Sequence, residues 1–359
     1  MNIIVTKCWH YDPVCDYLTH LMGSDRAYHH YGGEQGASVA AVTPDKLYPS
    51  HNEEGWMSRP NGEGGGDDSA LDSLVVLVAE SLGYACRRVP GDVMLLEGAN
   101  RLHVSMRNLR QLARLVPRDD WPALVSDHVS TIVTAIEEPL DLSDFELAKS
   151  LLRTRIYPAE ADNGVLAARP FAPGLIEAVV VDTPTTVRTV TREEAAGWPV
   201  SGEALFAMGR AGVKSDGPLT CEDQEVGGVE LTVLHGWTFY AATHLAWLDD
   251  YIELGPYGAL VVVPSRSMIA AYPLRVRRAA GAPGYGPTVR AATELQIQAQ
   301  HAYEEGPGSL SPHLFWWRRR GPGEVGRLTL LETRFDGDSL VLPADFLAVL
   351  STLPAEPGF

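Results

Sequence analysis

The sequence predicts a mixed α and β protein, of the α/β or α+β class, in which helices pack on a mixed β-sheet. The chain has 359 residues, of which 45% are hydrophobic, so it can bury a large core. Apolar residues recur at three- and four-residue steps in some segments, which indicates amphipathic helices. Other short segments either alternate between apolar and polar residues or are apolar throughout, which indicates strands. We expect these elements to form two sub-domains that follow an N-terminal appendage.

Residues 1–66 are predicted to form this appendage, which ends in a Gly-rich linker. The segment Asn61–Asp68 has the composition of a flexible linker. Four potential zinc ligands lie in the appendage: Cys8, His10, Cys15 and His20. Because the first two are closer together than in a usual zinc finger, we predict no metal site and no other cofactor.

Residues 67–165 are predicted to form a helix-rich αβ sub-domain. Its first helix is indicated by apolar residues at helical spacing: Leu71, Leu74, Val75, Val78 and Leu82. Gly83 ends that helix. Three short strands and two helices are expected next, at residues 85–89, 93–96, 101–105, 108–115 and 119–136. Ser143 and Glu146 have the spacing of a capping box, which predicts the start of another helix.

Residues 166–359 are predicted to form a mixed-sheet α/β domain. Ala259–Val263 is a continuous apolar run and is interpreted as a central strand, with Met268–Leu274 as its hairpin partner. Other expected elements are a hairpin at 176–190, a half-buried strand at 229–235, and helices at 239–251 and 288–303. Trp316 and Trp317 are adjacent in a strand candidate, which predicts one side chain in the core and one at the surface.

Charge and cysteine content narrow the classes of function. The net charge is −17, and such an acidic chain is not expected to bind nucleic acid or an anionic membrane surface. The N-terminus lacks the pattern of a signal peptide, and no apolar run is long enough to span a bilayer. The four cysteines show no disulfide framework, so reduced thiols and a cytoplasmic location are predicted.

Ser265 and Arg266 are the candidate residues for binding a substrate. They follow the apolar run directly, and in α/β folds ligands collect beyond the carboxyl ends of central strands. An arginine at that position can hold a carboxylate or a phosphate. The alternative is a plain hairpin turn with an exposed arginine.

His235 and His244 are the candidate catalytic residues. His235 ends the strand at 229–235 and His244 lies in the helix at 239–251, so either could act as a general acid or base beside Arg266. The alternative for both is a structural histidine that is hydrogen-bonded in the core.

Several segments resemble the YtpQ-like bacterial family of unknown function. The resemblance covers about residues 69–350 and is carried by Gly174–Asp182, Val187–Glu194, Ala242–Asp249 and Ala259–Arg266, with a tail like that of uncharacterised actinobacterial proteins at Glu305–Pro312 and Phe315–Arg318. It implies a bacterial cytosolic α/β protein. It implies no catalytic residue, because that family has no settled activity.

Two hypotheses about function remain open. The phosphate-binding loop, the nucleophile elbow, the zinc-protease motif and the dinucleotide-binding turn are all absent from the sequence. The first hypothesis is therefore a binding or accessory protein that acts on a protein partner through its surface. The second is an enzyme that acts on a small anionic substrate near Ser265 and Arg266.

Overall fold

The computed structural model describes residues 4–6, 64–138, 140–184, 186–236, 239–274, 286–319, 325–337 and 339–352. Within them, helices pack on β-sheets, so the predicted mixed α and β class is confirmed. All of the strand pairs in this part of the chain are antiparallel, which makes the class α+β.

The first unit packs three helices on a three-stranded sheet. Its elements are α1 (Gly64–Ser81), β2 (Ala85–Val89), β3 (Val93–Glu97), β4 (Arg101–Ser105), α2 (Arg107–Arg114) and α3 (Trp121–Glu137). The strands follow the order β2-β3-β4. The apolar faces of all three helices meet the sheet in one core, to which Leu71 and Val75 belong as predicted.

The linker predicted at Asn61–Asp68 is wrong for its second half, because α1 already begins at Gly64. Ion pairs hold this part of the helix. The buried guanidinium of Arg110 lies 2.6 Å from Asp72 and 3.1 Å from Asp68. These partners are distant in the sequence, so composition did not reveal them. Residues 7–63, with the four potential zinc ligands, lie outside the described residues.

A second sheet forms the middle of the molecule. Its strands are β1 (Ile4–Thr6), β5 (Leu152–Pro158), β6 (Ala168–Ala172), β7 (Leu175–Asp182) and β8 (Thr186–Thr189). They follow the order β1-β8-β7-β5, and β6 pairs with the first half of β7. The predicted division between residues 165 and 166 falls inside this sheet, since β5 precedes it and its partner β7 follows it.

Three helices accompany the second sheet: α4 (Phe145–Leu151), α5 (Arg192–Ala196) and α6 (Gly202–Ser215). Ser143 does not cap α4 as predicted. The cap is Asp144, whose carboxylate accepts hydrogen bonds from the backbone N–H groups of Glu146 and Leu147. A carboxylate at this position also suits the positive end of the helix dipole.

The third sheet has six strands and contains the predicted central strand. Its elements are β9 (Thr220–Val226), β10 (Val229–His235), β11 (Ala259–Ser265), β12 (Met268–Pro273), β13 (Leu314–Arg318) and β14 (Arg327–Leu330). The order is β14-β13-β11-β12-β10-β9, so β11 is internal and β12 is its hairpin partner, as predicted.

Both faces of the third sheet are covered. Helix α7 (Gly286–Glu305) packs on one face, and a 3₁₀ segment at Ala241–Asp250 packs on the other. Trp316 faces the core under α7 and Trp317 faces the opposite core, so both indoles are buried and the prediction of one surface Trp is wrong. A small hairpin of β15 (Arg334–Asp336) and β16 (Ser339–Val341) and helix α8 (Ala344–Thr352) complete the described chain.

Candidate functional site

The turn that joins β11 to β12 carries the candidate binding residues. β11 ends at Ser265 and β12 begins at Met268, and these two residues pair across the hairpin. The backbone N–H of Arg266 donates to the carbonyl of Gly308 over 3.1 Å, and its own carbonyl accepts from Ala242 over 3.2 Å. The turn is therefore held by a loop on one side and by the 3₁₀ segment on the other.

Ser265 and Arg266 lie in a hairpin turn and not in the crevice at the end of a parallel sheet. The third sheet is antiparallel, so the rule that ligands collect at the carboxyl ends of parallel strands does not apply to it. Ser265 is buried, and its hydroxyl oxygen lies 3.2 Å from that of Ser267. The Ser265 hydroxyl is thus turned to its neighbour in the turn.

The side chain of Arg266 meets two residues of β5. Its guanidinium carbon lies 5.8 Å from the ring centroid of Tyr157, and that of Arg155 lies 5.4 Å from the same centroid. Two guanidinium groups therefore flank one tyrosine ring. We call Arg155, Tyr157 and Arg266 the open cluster.

The polar atoms of the open cluster lack partners. Arg155 is 0% exposed, and its Nε, Nη1 and Nη2 atoms have no hydrogen-bond partner among the described residues. The Tyr157 hydroxyl and the Arg266 Nε atom are also buried and also have no hydrogen-bond partner among the described residues. These three residues contribute five buried polar atoms without a hydrogen-bond partner among the described residues, and three of the five belong to Arg155.

The electrostatics of the site favour an anion. Burial lowers the pKa of Arg266 to about 9; the positive charges of Arg155 and Arg107 act in the same direction, whereas Tyr157 opposes them. The charged form of Arg266 is therefore destabilised by its own neighbours. A negative charge placed among these arginines would remove that penalty.

Helix α2 borders the site from the first unit. The Arg107 guanidinium stacks on the ring of Tyr303, 5.1 Å from its centroid. One helical turn later, the amide of Gln111 donates to the hydroxyl of Ser309 over 2.9 Å. Since Ser309 follows Gly308, whose carbonyl accepts from the backbone N–H of Arg266, α2 holds the loop that lies against Arg266.

The other face of the second sheet carries a contrasting charge cluster. Glu177 of β7 is 0% exposed, and its two oxygens accept from Arg210 over 2.6 and 2.7 Å. Arg169 donates to the same carboxylate over 2.9 Å. We call Arg169, Glu177 and Arg210 the closed cluster, because each charge in it has a counter-charge.

His235 lies beside the turn through its backbone. It pairs with Met268, two residues after Arg266, and its Nε2 atom lies 3.8 Å from the carboxylate of Glu222. The imidazole is buried. Its role as an acid or base stays a prediction.

His244 is part of an aromatic contact set. The Tyr251 hydroxyl accepts from the backbone of Leu219 and donates to His244 Nδ1 over 2.6 Å, while the Trp247 indole approaches the same nitrogen at 3.3 Å. Burial lowers the pKa of His244 to about 4, with Lys214 acting in the same direction. Nδ1 is thus the acceptor of a neutral imidazole at pH 7, which is the structural alternative considered above.

The sequence pointed to Ser265 and Arg266 but missed Arg155 and Tyr157. No strand was expected at residues 152–158, since the preceding capping signal pointed to a helix. The available signal was Arg-x-Tyr, two polar residues with the two-residue spacing that places both on one face of a strand.

The described residues contain no group of three or more His, Cys, Asp or Glu side chains arranged to hold a metal ion. Cys86 and Cys221 are free thiols. Among the helices of the described chain, none combines the length and the apolar character needed to cross a bilayer.

The chain was compared with protein families, curated proteins and solved structures. No family model, curated protein or solved structure matches it. The resemblance to the YtpQ-like family stays an expectation from the sequence.

Proposed function

We propose that this chain binds a small molecule with an anionic group, and that the open cluster holds that group. The observation that carries the proposal is Arg155, a fully buried guanidinium whose three nitrogens have no partner among the described residues. An unpaired buried charge costs several kcal/mol, which is a large part of a typical folding free energy. Such a cost is understandable where a ligand supplies the counter-charge.

The arrangement suits an oxyanion that binds beside the Tyr157 ring and accepts from both guanidinium groups. Arg155 and Arg266 approach the same tyrosine ring, and the hydroxyl of that tyrosine also lacks a hydrogen-bond partner among the described residues. Arg155 is completely buried, whereas Arg266 as a residue is partly exposed. The ligand would enter past Arg266 and contact Arg155 at the inner end.

Of the two hypotheses from the sequence, the proposal favours the second, and only its first part, namely that the ligand is a small anion. Whether a reaction follows binding is a further proposal, in which His235 or His244 acts as the acid or base next to Arg266. No metal or other cofactor is part of it. An accessory role on a protein partner and a cytoplasmic location stay predictions.

The test compares two arginines that lie two residues apart on β5. Arg153 is paired, because Asp216 accepts from its Nε and Nη2 atoms over 2.7 Å, whereas Arg155 is not. Thermal melts would be recorded for the wild type, Arg155→Met and Arg153→Met, each with inorganic phosphate, sulfate, acetate or succinate at one ionic strength.

We expect at least one anion to raise the melting temperature of the wild type and of Arg153→Met, but not of Arg155→Met. Ligand at a hundred times its Kd stabilises a protein by about 2.7 kcal/mol, which is a shift of a few degrees. The proposal is wrong if no anion shifts the wild type. It is also wrong if Arg155→Met melts below the wild type without ligand, because Arg155 would then have a structural partner within the chain.

A further inference from the structure

We infer that the anionic group is a doubly charged tetrahedral oxyanion, that is, a phosphate group, and not a single carboxylate. This inference rests on the function proposed above and names the chemical class of its ligand. It follows from the number of positive charges and the number of hydrogen-bond donors at the open cluster.

The positive charge at the site exceeds what a monoanion can compensate. The guanidinium groups of Arg155 and Arg266 lie near the same Tyr157 ring, and the positive charges of Arg155 and of the exposed Arg107 both act to lower the pKa of Arg266. No described carboxylate lies within salt-bridge distance of these three side chains, although eleven other arginines of the described chain have one. A single carboxylate would compensate only one of the two guanidinium charges of Arg155 and Arg266, whereas a phosphate monoester carries nearly two negative charges at pH 7.

Asp182, the last residue of β7, interacts with two other residues near the open cluster. It acts on Arg153 and on the hydroxyl of Tyr240, to which it is hydrogen-bonded. Asp182 is therefore already engaged at the far end of β7.

The number of hydrogen-bond donors in the open cluster also favours a phosphate group over a carboxylate. A guanidinium group has five N–H donors, and all three nitrogens of Arg155 lack acceptors. The Nε–H of Arg266 and the hydroxyl of Tyr157 add two more donors. A carboxylate offers two oxygens, but a phosphate group offers three strongly accepting oxygens that point in different directions, so it can serve donors that flank a ring from two residues.

The experiment is an isothermal titration of the full chain with five probes at pH 7.5 and constant ionic strength. Inorganic phosphate and methyl phosphate are mainly dianions, dimethyl phosphate is a tetrahedral monoanion, acetate is a planar monoanion and succinate is a planar dianion. We expect inorganic phosphate or methyl phosphate to bind at least about tenfold more tightly than each of the other three, in line with one extra charged hydrogen bond.

Variants locate the binding. Arg155→Met should weaken phosphate binding by about ten- to a hundredfold. Arg107→Met should weaken it by less, since Arg107 is exposed to solvent, and Arg153→Met should leave it unchanged. Phosphate binding that survives in Arg155→Met would overturn the inference, because the anion would then bind elsewhere.

The remaining outcomes separate this inference from the proposed function. If acetate or succinate binds as tightly as phosphate and needs Arg155, the anion site is real and its assignment to phosphate is wrong. If none of the five probes binds, both are wrong. Binding of inorganic phosphate without methyl phosphate would support a free oxyanion as the ligand, and binding of both would support a phosphate monoester.

Discussion

The two faces of the β5–β7 strand pair differ in whether their buried charges are paired. Glu177 lies opposite Ile156 in the pairing of the strands, so its side chain points away from the face that carries Arg155 and Tyr157. On the Glu177 face, two arginines enclose one carboxylate with short hydrogen bonds. On the Arg155 face, a guanidinium of equal burial has no acceptor among the described residues.

The difference shows what each cluster contributes. The closed cluster fixes β6, β7 and α6 relative to one another, because its three residues come from these three elements. The open cluster has no such ion pair among the described residues, and the burial of its charge works against the stability of the protein. We therefore expect mutations in the closed cluster to change stability and mutations in the open cluster to change binding.

The largest effect is expected for Glu177→Gln. The substitution keeps the size of the side chain but removes the charge, which leaves Arg169 and Arg210 without their counter-charge. Breaking a buried ion pair in this way costs about 3 to 5 kcal/mol. Urea unfolding at pH 7 measures the loss.

The control is Asp250→Asn, which breaks an exposed pair with Lys214. Exposed pairs contribute only about 0 to 1 kcal/mol, so this variant should unfold like the wild type. If Glu177→Gln is as mild as the control, the closed cluster does not stabilise the fold and the contrast between the two faces disappears.

A smaller effect is expected from acidification, through His244. Its pKa is about 4 in the folded chain, below the usual 6.5 of an unfolded chain, so the unfolded state binds more protons between these values. The stability contributed by neutral His244 is complete above pH 6.5 and is lost as the pH falls towards 4. At pH 5 the loss amounts to about 2 kcal/mol.

Urea unfolding at pH 7.5 and pH 5 measures this loss in the wild type and in His244→Gln, whose amide oxygen can still accept from Tyr251. The variant should lose only part of the pH dependence, because burial also lowers the pKa of His128 to about 4. An unchanged pH dependence in the variant would mean that His244 is not held neutral by its contacts.

Arg155→Met is expected to raise the stability of the protein, whereas Glu177→Gln in the closed cluster lowers it. Removing a buried charge without a partner should raise the free energy of unfolding by about 1 to 3 kcal/mol in the absence of ligand. Arg153→Met should lower it, since Asp216 would lose both of its hydrogen bonds. Equal signs for the two variants in urea unfolding would contradict the division into paired and unpaired arginines.

The smallest effect is expected for Tyr157→Phe, which removes one unpartnered hydroxyl and keeps the ring between the guanidinium groups. Stability without ligand should stay the same or rise slightly. Affinity for inorganic phosphate should fall about two- to tenfold, as for the loss of one ordinary hydrogen bond. A clear loss of stability in thermal melts would mean that the hydroxyl has a structural partner.

Much of the fold was predictable because its elements carry local signals. The apolar run at β11 and the strong helix formers of α7 predicted an internal strand and a long helix, and both are confirmed. β5 carried a misleading signal instead, because Arg153 and Arg155 interrupt its apolar pattern. One of these arginines is buried among other side chains and not at a solvated surface.

Half of the candidate site was predictable for the same reason. The turn at Ser265 and Arg266 follows directly from the end of an apolar strand, which is a local pattern. Its contact with Arg155 and Tyr157 is a tertiary contact between different sheets, and nothing in the spacing of the residues encodes it. Both members of the site were needed to see that the positive charge has no counterpart.

The hydrogen bond between Gln111 and Ser309 has a consequence for protein synthesis, because it joins positions 198 residues apart. At a translation rate of about 5 to 20 residues per second, a ribosome needs roughly 10 to 40 s to extend the nascent chain from one to the other. Arg155 has left the ribosome well before the loop that borders Arg266 exists. During that interval the guanidinium of Arg155 can remain hydrated, and its desolvation becomes one of the late steps in the maturation of the chain.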